Sequence, residues 1–235
     1  ERRRAFLNGD PYTGGRAIFY PAVIAMKTPL GTLAIWAIGL GVIVFARRRW
    51  DAVRALLPVP LTILGLAVLS STNIGIRHIA VVPMFGAVAA GSTLLVRRGL
   101  VVAAVLVAFV AVSVWRAFPA DLSYVNEAFG GPSDAYRRLA DSNADWGQDL
   151  FRLADYVRAH PDRTPDWILY FGTAVPGAYG IDARDATKAR VEDVHGLVAV
   201  STSWIDLFPD RYGWVTQRGT PGELVGTTIV LYRIP

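Results

Sequence analysis

The sequence predicts a membrane α-helical bundle of about four transmembrane helices, residues 29–115, followed by a small extracytoplasmic α/β domain, residues 116–235. Residues 1–28 read as an extracytoplasmic loop and interfacial segment. Three observations predict this division. Four runs, Pro29–Ala46, Ala55–Thr72, Ile79–Val96 and Leu100–Trp115, contain no ionisable residue. The excess of the 53% hydrophobic content lies before residue 116. The charge splits at the same place: 12 Lys/Arg face three acids up to residue 115, whereas 12 face 16 acids beyond it.

The basicity therefore belongs to the edges of apolar segments rather than to a nucleic-acid surface. As helices, runs of about 16–18 residues would reach about 24–27 Å, short but adequate for a thinned hydrocarbon core. Cysteine is absent, which excludes disulfides and thiolate metal sites. The chain opens on Glu1, and its start has no signal-peptide pattern, so the expectation is the C-terminal part of a longer polytopic protein.

In residues 1–28, the turn formers Asn8-Gly9-Asp10-Pro11 and Gly14-Gly15 precede an apolar and aromatic run from Ala17 to Met26. Phe19 and Tyr20 suit headgroup depth, and Lys27 closes the segment at the membrane edge. Two short links, Arg47-Arg48-Arg49-Trp50-Asp51 with Arg54 and Arg97-Arg98-Gly99, are arginine-rich. The positive-inside rule makes their side cytoplasmic and puts residues 1–28, the Asn73–His78 loop and everything after Trp115 outside. Localisation follows as the inner (plasma) membrane, multi-pass. Pro58, Pro60 and Pro83 fall inside spans, where neighbouring helices would take up the freed carbonyls. Gly39 and Gly41 read as close-packing positions.

Beyond Arg116 the composition becomes that of a domain with regular charges. Asp134–Asp141 reads as a short helix. Asp145-Trp146-Gly147-Gln148 has the form of a capping box, with the acid as N-cap and Gln148 reaching back. It opens an amphipathic helix with Leu150, Leu153, Ala154 and Val157 on one face, stopping near His160-Pro161. Trp167–Phe171, Gly196–Thr202 and Thr227–Arg233 read as strands.

The leading functional stretch is Asn73-Ile74-Gly75-Ile76-Arg77-His78, a polar link between two apolar runs. An arginine and a histidine at such a mouth are costly to desolvate and call for a partner, often an anion. The alternative is that Arg77 snorkels to the headgroups and His78 caps a helix end. Asp141, Asp145 and Asp149 recur every four residues and could hold a divalent metal or sugar hydroxyls from one helix face, against the simpler reading of Asp145 as a cap. His160 and His195 stand alone near loops, and Ser201 or Ser203 with His195 makes no recognisable triad. The sequence carries no nucleophile elbow, phosphate-binding glycine loop or zinc spacing.

Several stretches together resemble the C-terminal half of bacterial glycosyltransferases that take sugar from a polyprenyl-phosphate carrier, a GT-C type family related to protein O-mannosyltransferases and lipid A aminoarabinose transferases. They are Gly14-Gly15 with Phe19-Tyr20-Pro21 and Lys27-Thr28-Pro29, then Asn73–His78 running into Pro83. Tyr124-Val125-Asn126-Glu127 with Gly130-Gly131-Pro132 follows, and then Asp141-Ser142-Asn143-Ala144-Asp145-Trp146-Gly147-Gln148-Asp149-Leu150. The resemblance implies inverting transfer of a sugar from a lipid-linked phosphate donor to an unidentified acceptor on the extracytoplasmic side. It also implies a catalytic carboxylate in an early loop that has no counterpart here, so no catalytic residue is nominated and this segment alone is expected to be inactive.

What the segment would supply is donor binding through Arg77, with Lys27 in support and His78 and Asn73 beside it. Asp145, Trp146 and Gln148 would face the acceptor or brace the outer domain. The expected partners are a polyprenyl-phosphate-linked sugar and membrane lipid. On this reading, Arg77→Ala should weaken donor use far more than Arg48→Ala. The rival reading is a non-enzymatic transporter or receptor part whose outer domain binds a ligand.

Overall fold

A computed structural model describes residues 3–45 and 50–235 and divides the chain into two compact units. Of the described residues, unit 1 comprises Arg3, 14–45, 50–121 and 125–131, and unit 2 comprises 4–13, 122–124 and 132–235. Arg47, Arg48 and Arg49, on which part of the expected orientation rests, lie outside the described residues.

Unit 1 is helical: α1 (Phe19–Lys27), α2 (Leu30–Phe45), α3 (Trp50–Leu56), α4 (Pro58–Leu69), α5 (Val81–Ala90) and α6 (Gly99–Ala117), with 3-10 turns at Ile76–Ile79 and Gly91–Leu95. The four-span bundle expected from the sequence is not what forms. Among the described residues α6 alone is long and apolar enough to cross a bilayer, and α1 with α2 passes only as a pair bent by 114°. With 12 residues, α4 reaches roughly 18 Å, and α5 gives way to a 3-10 turn after ten.

The prolines explain the shortening. Pro58 and Pro60 stand in the first turn of α4 and Pro83 in the first turn of α5, where a missing N–H leaves no carbonyl unpaired. They begin helices that the apolar runs alone suggested were continuous. Close approach is built in at Gly39, where a Cβ would strike the backbone of Ala89, whereas Gly41 faces open space.

Unit 2 begins with the hairpin β1 (Arg4–Leu7) and β2 (Asp10–Thr13). Asn8 and Gly9 both have positive φ, 52° and 83°, the backbone of a tight two-residue hairpin turn. Then come α7 (Ala135–Arg138), α8 (Leu150–Ala159), β3 (Trp167–Leu169), β4 (Arg184–Asp185), β5 (Gly196–Ser201), α9 (Thr202–Leu207), α10 (Pro209–Tyr212), α11 (Trp214–Arg218), β6 (Thr220–Val225) and β7 (Ile229–Ile234).

The main sheet has the order β4-β3-β5-β7-β6. β4, β3 and β5 run parallel, and β7 and β6 close it antiparallel. Alternation along the strands fills two cores. Leu169, Val198, Val200, Val230 and Tyr232 face one side with Tyr212 and Val215. Ile168, Ala199, Ile229 and Leu231 face the other, where Leu150, Leu153 and Ala154 of α8 cover them. A sheet covered on both faces needs apolar residues at successive positions, which is why β5 and β7 read as near-continuous apolar runs.

Candidate functional site

In unit 1 the segment after α4 is held by its polar side chains. Buried Asn73 accepts a hydrogen bond on Oδ1 from the Arg16 backbone N–H at 2.6 Å, and the Tyr20 hydroxyl donates to the Thr72 carbonyl at 3.2 Å. Gly15 is required here because a Cβ would overlap the Ser70 carbonyl. This bracing sets the 3-10 turn that carries Arg77 and His78, and both side chains are exposed.

His78 lines a cavity of about 340 Å³. Ile63, Leu66 and Ala67 of α4 make its apolar side, and Tyr20, Ser70, Thr72 and His78 its polar side. Lys27 ends α1 seven residues beyond Tyr20, roughly 10 Å along the helix axis. The C-terminus of α1 is capped by Asn126, whose Nδ2 donates to the carbonyls of Ala25 at 2.6 Å and Thr28 at 2.8 Å. That gives Asn126, in the Tyr124–Glu127 stretch, a structural task.

Asp145, Trp146 and Gln148 lie in unit 2 and take a different form from the expected capping box. α8 begins only at Leu150, so residues 145–149 make a turn. Asp145 Oδ1 accepts from the Gly147 N–H at 2.8 Å, an Asx turn rather than a cap. Gln148 Oε1 accepts from the Trp146 N–H at 2.8 Å, and Nε2 donates to the Ala144 carbonyl at 2.9 Å and to Ser123 Oγ at 3.2 Å. The turn fails to become helix because Gly147 sits at φ 81°, with Tyr170 Oη donating to its carbonyl at 2.8 Å. Trp146 stands exposed at its tip.

Asp149 is fully buried and committed: Oδ2 accepts from the Thr227 N–H at 2.7 Å, Thr227 Oγ1 at 2.9 Å and Thr228 Oγ1 at 2.9 Å, while Oδ1 takes Arg152. Asp141 is in a separate 3-10 turn at φ 52°, and its N–H donates to Ser203 Oγ at 3.2 Å. The three aspartates therefore do not share a helix face. Among the described residues no group of three or more His, Asp or Glu is arranged to hold a metal ion.

Sequence reasoning missed the electrostatics behind this turn. Burial pushes the Asp145 carboxyl up to about 7, with the Asp149 charge adding to the rise. The Gly147 N–H opposes it at Oδ1, whereas among the described residues Oδ2 makes no hydrogen bond. Asp206 of α9 is likewise raised well above the ordinary carboxylate value, by burial and then by the charge of Asp145. The pair is 61 residues apart in sequence, so no local motif could mark it.

Comparison with protein-family models, curated proteins and solved structures finds no match.

Proposed function

We propose that the chain is part of a membrane glycosyltransferase that takes a sugar from a polyprenyl-phosphate donor, and that unit 1 holds the donor phosphate. The observation that carries this reading is a mainly apolar cavity with a polar rim, lined by His78, next to which in the same turn stands the exposed Arg77. A lipid phosphate needs those two surfaces side by side: an apolar wall for the first part of the chain and a cation for the head. Arg77 would bind the phosphate with charge-assisted hydrogen bonds and stabilise the charge that develops as the sugar leaves. His78 and the hydroxyls of Ser70 and Thr72 would complete the polar rim.

Membrane residence is part of the proposal. Large apolar side chains are exposed throughout unit 1, with Phe45, Leu69 and Trp115 each more than 80% exposed. A surface of that kind calls for lipid or a protein partner. α6 would cross the bilayer, with Arg97 and Arg98 before its start on the cytoplasmic side and the residues after Arg116 outside. The catalytic carboxylate is not assigned to any residue here.

The test is donor kinetics in the intact enzyme. Arg77→Ala should raise KM for the polyprenyl-phosphate sugar by about tenfold or more, the weight of one hydrogen bond between charged groups. Arg54→Ala, at an exposed position in α3, should leave it unchanged. Equal effects would remove Arg77 from the site.

A further inference from the structure

We propose that unit 2 carries a separate binding site for an uncharged pyranose ring, in a cavity of about 440 Å³ at the carboxyl ends of its parallel strands. The inference goes beyond the phosphate site of unit 1 and does not rest on it.

Topology puts the cavity where an open α/β sheet binds ligands. The chain leaving β3 runs to β4 on one side of it, whereas the chain leaving β5 runs through α9 to α11 toward β6 at the opposite edge. Adjacent parallel strands whose exits diverge leave a crevice beyond their carboxyl ends. Tyr170 and Gly172 follow β3, Thr187 follows β4 and Trp204 follows β5, while Ile181, Asp182 and Ala183 come from the end of the β3–β4 connection that leads into β4. The volume lies within the usual range for small-molecule sites, about 300–1,000 Å³.

The side chains choose the ligand class. Asp182 and Asp185 line the cavity and no Lys or Arg does, which disfavours an anion. Asp185 is already engaged, accepting from the Thr187 N–H and hydroxyl and pairing with Lys188 at 3.2 Å. Thr187 Oγ1 gives its proton to Asp185 and Tyr170 Oη donates to the Gly147 carbonyl, so exposed Asp182 is the lining group that a purely apolar ligand would cost its hydration. Trp204, Val175, Pro176 and Ile181 add apolar side chains to the same lining. A ring with an apolar C–H face and a rim of hydroxyls suits both kinds of lining, its face on the apolar side chains and its hydroxyls donating to Asp182 and to Thr187 Oγ1. Trp204 is fixed by ring contacts with Phe171, Phe208 and Tyr212, centres 5.3, 5.4 and 5.1 Å apart.

Binding of methyl α-mannopyranoside, methyl β-glucopyranoside and methyl β-galactopyranoside to the full chain in detergent, read by saturation-transfer NMR and titration calorimetry, tests the proposal. At least one should bind. Gly177→Trp, which adds bulk at a lining position where a Cβ meets open space, should abolish that binding. Asp182→Asn, nearly isosteric and exposed, should weaken it about tenfold. Absence of binding by all three glycosides overturns the proposal, as does unchanged affinity in Asp182→Asn or preferential binding of tetramethylammonium. Loss of glycoside binding in Arg77→Ala with retention in both unit 2 variants would move the sugar to unit 1 and overturn it too.

Discussion

Asp149 and Thr227 lie 78 residues apart in sequence and share two hydrogen bonds, from the Thr227 N–H at 2.7 Å and its hydroxyl at 2.9 Å to one carboxylate oxygen. The contact fastens the first residue before α8 to the β6–β7 turn, so the helix is docked on the sheet by a buried charge as well as by Leu150 and Leu153. Glycine at 226 is part of the same joint, since a Cβ there would press into the Asp149 carboxylate.

Asp149→Ala should therefore be the most damaging single change in this stretch. It strips Thr227 and Thr228 of this acceptor and removes the buried carboxylate paired with Arg152, an expected loss of about 3–5 kcal/mol. Asp149→Asn, which keeps one acceptor oxygen, should cost about half as much. Denaturant unfolding followed by tryptophan fluorescence checks both, and a loss under 1 kcal/mol for the alanine variant would refute the account of this joint.

Gly147→Ala should lower stability by about 1–3 kcal/mol through its positive φ and a clash with Tyr170. Ala substitution at Gly41, which faces open space, should be neutral or mildly stabilising within α2. Melting temperatures of the two variants in the same detergent give the comparison.

Asp145 makes a pH prediction. Its carboxyl moves from an ordinary 3.8 to about 7 on folding. Below the lower value both states hold the proton and the group contributes no pH dependence. Between the two values the folded chain keeps a proton that the unfolded chain has released, so stability falls as pH rises, by up to about 1.4 kcal/mol per unit. Above about 7 the slope ends, and Asp206 adds to it with the same sign. Asp145→Asn should flatten the melting temperature between pH 5 and 7, and the double variant with Asp206→Asn should flatten it further. A slope unchanged by both substitutions would contradict the assignment.

Asn126→Ala should destabilise unit 1 by about 2–3 kcal/mol, because two carbonyls at the end of α1 lose their donor in a fully buried place. The loss should be visible as earlier thermal unfolding in detergent.

Much of unit 2 was legible. Leu150, Leu153 and Ala154 marked α8, and the apolar runs at Trp167, Gly196 and Thr227 marked β3, β5 and β7. β4 escaped because two exposed residues, Arg184 and Asp185, carry no pattern. β6 escaped because Pro221 and Gly222 look like a turn, although an edge strand tolerates them. In unit 1 the apolar runs located the helices but not their ends, since a proline starting a helix and one inside a span read alike. Of the proposed site, Arg77 and His78 stand out in the sequence as ionisable groups beside apolar runs. The Asp145–Asp206 pair and the strand-exit cavity depend on contacts between distant residues, which periodicity does not encode.

The central claim is phosphate-directed binding of a polyprenyl carrier at Arg77, and direct binding tests it most closely. Titrating undecaprenyl phosphate, and separately the unphosphorylated alcohol, into the full chain in lipid nanodiscs should give tighter binding of the phosphate. Arg77→Ala should abolish that preference while Arg54→Ala keeps it. Equal affinity for phosphate and alcohol in the wild-type chain, or a preference that survives Arg77→Ala, would contradict the account.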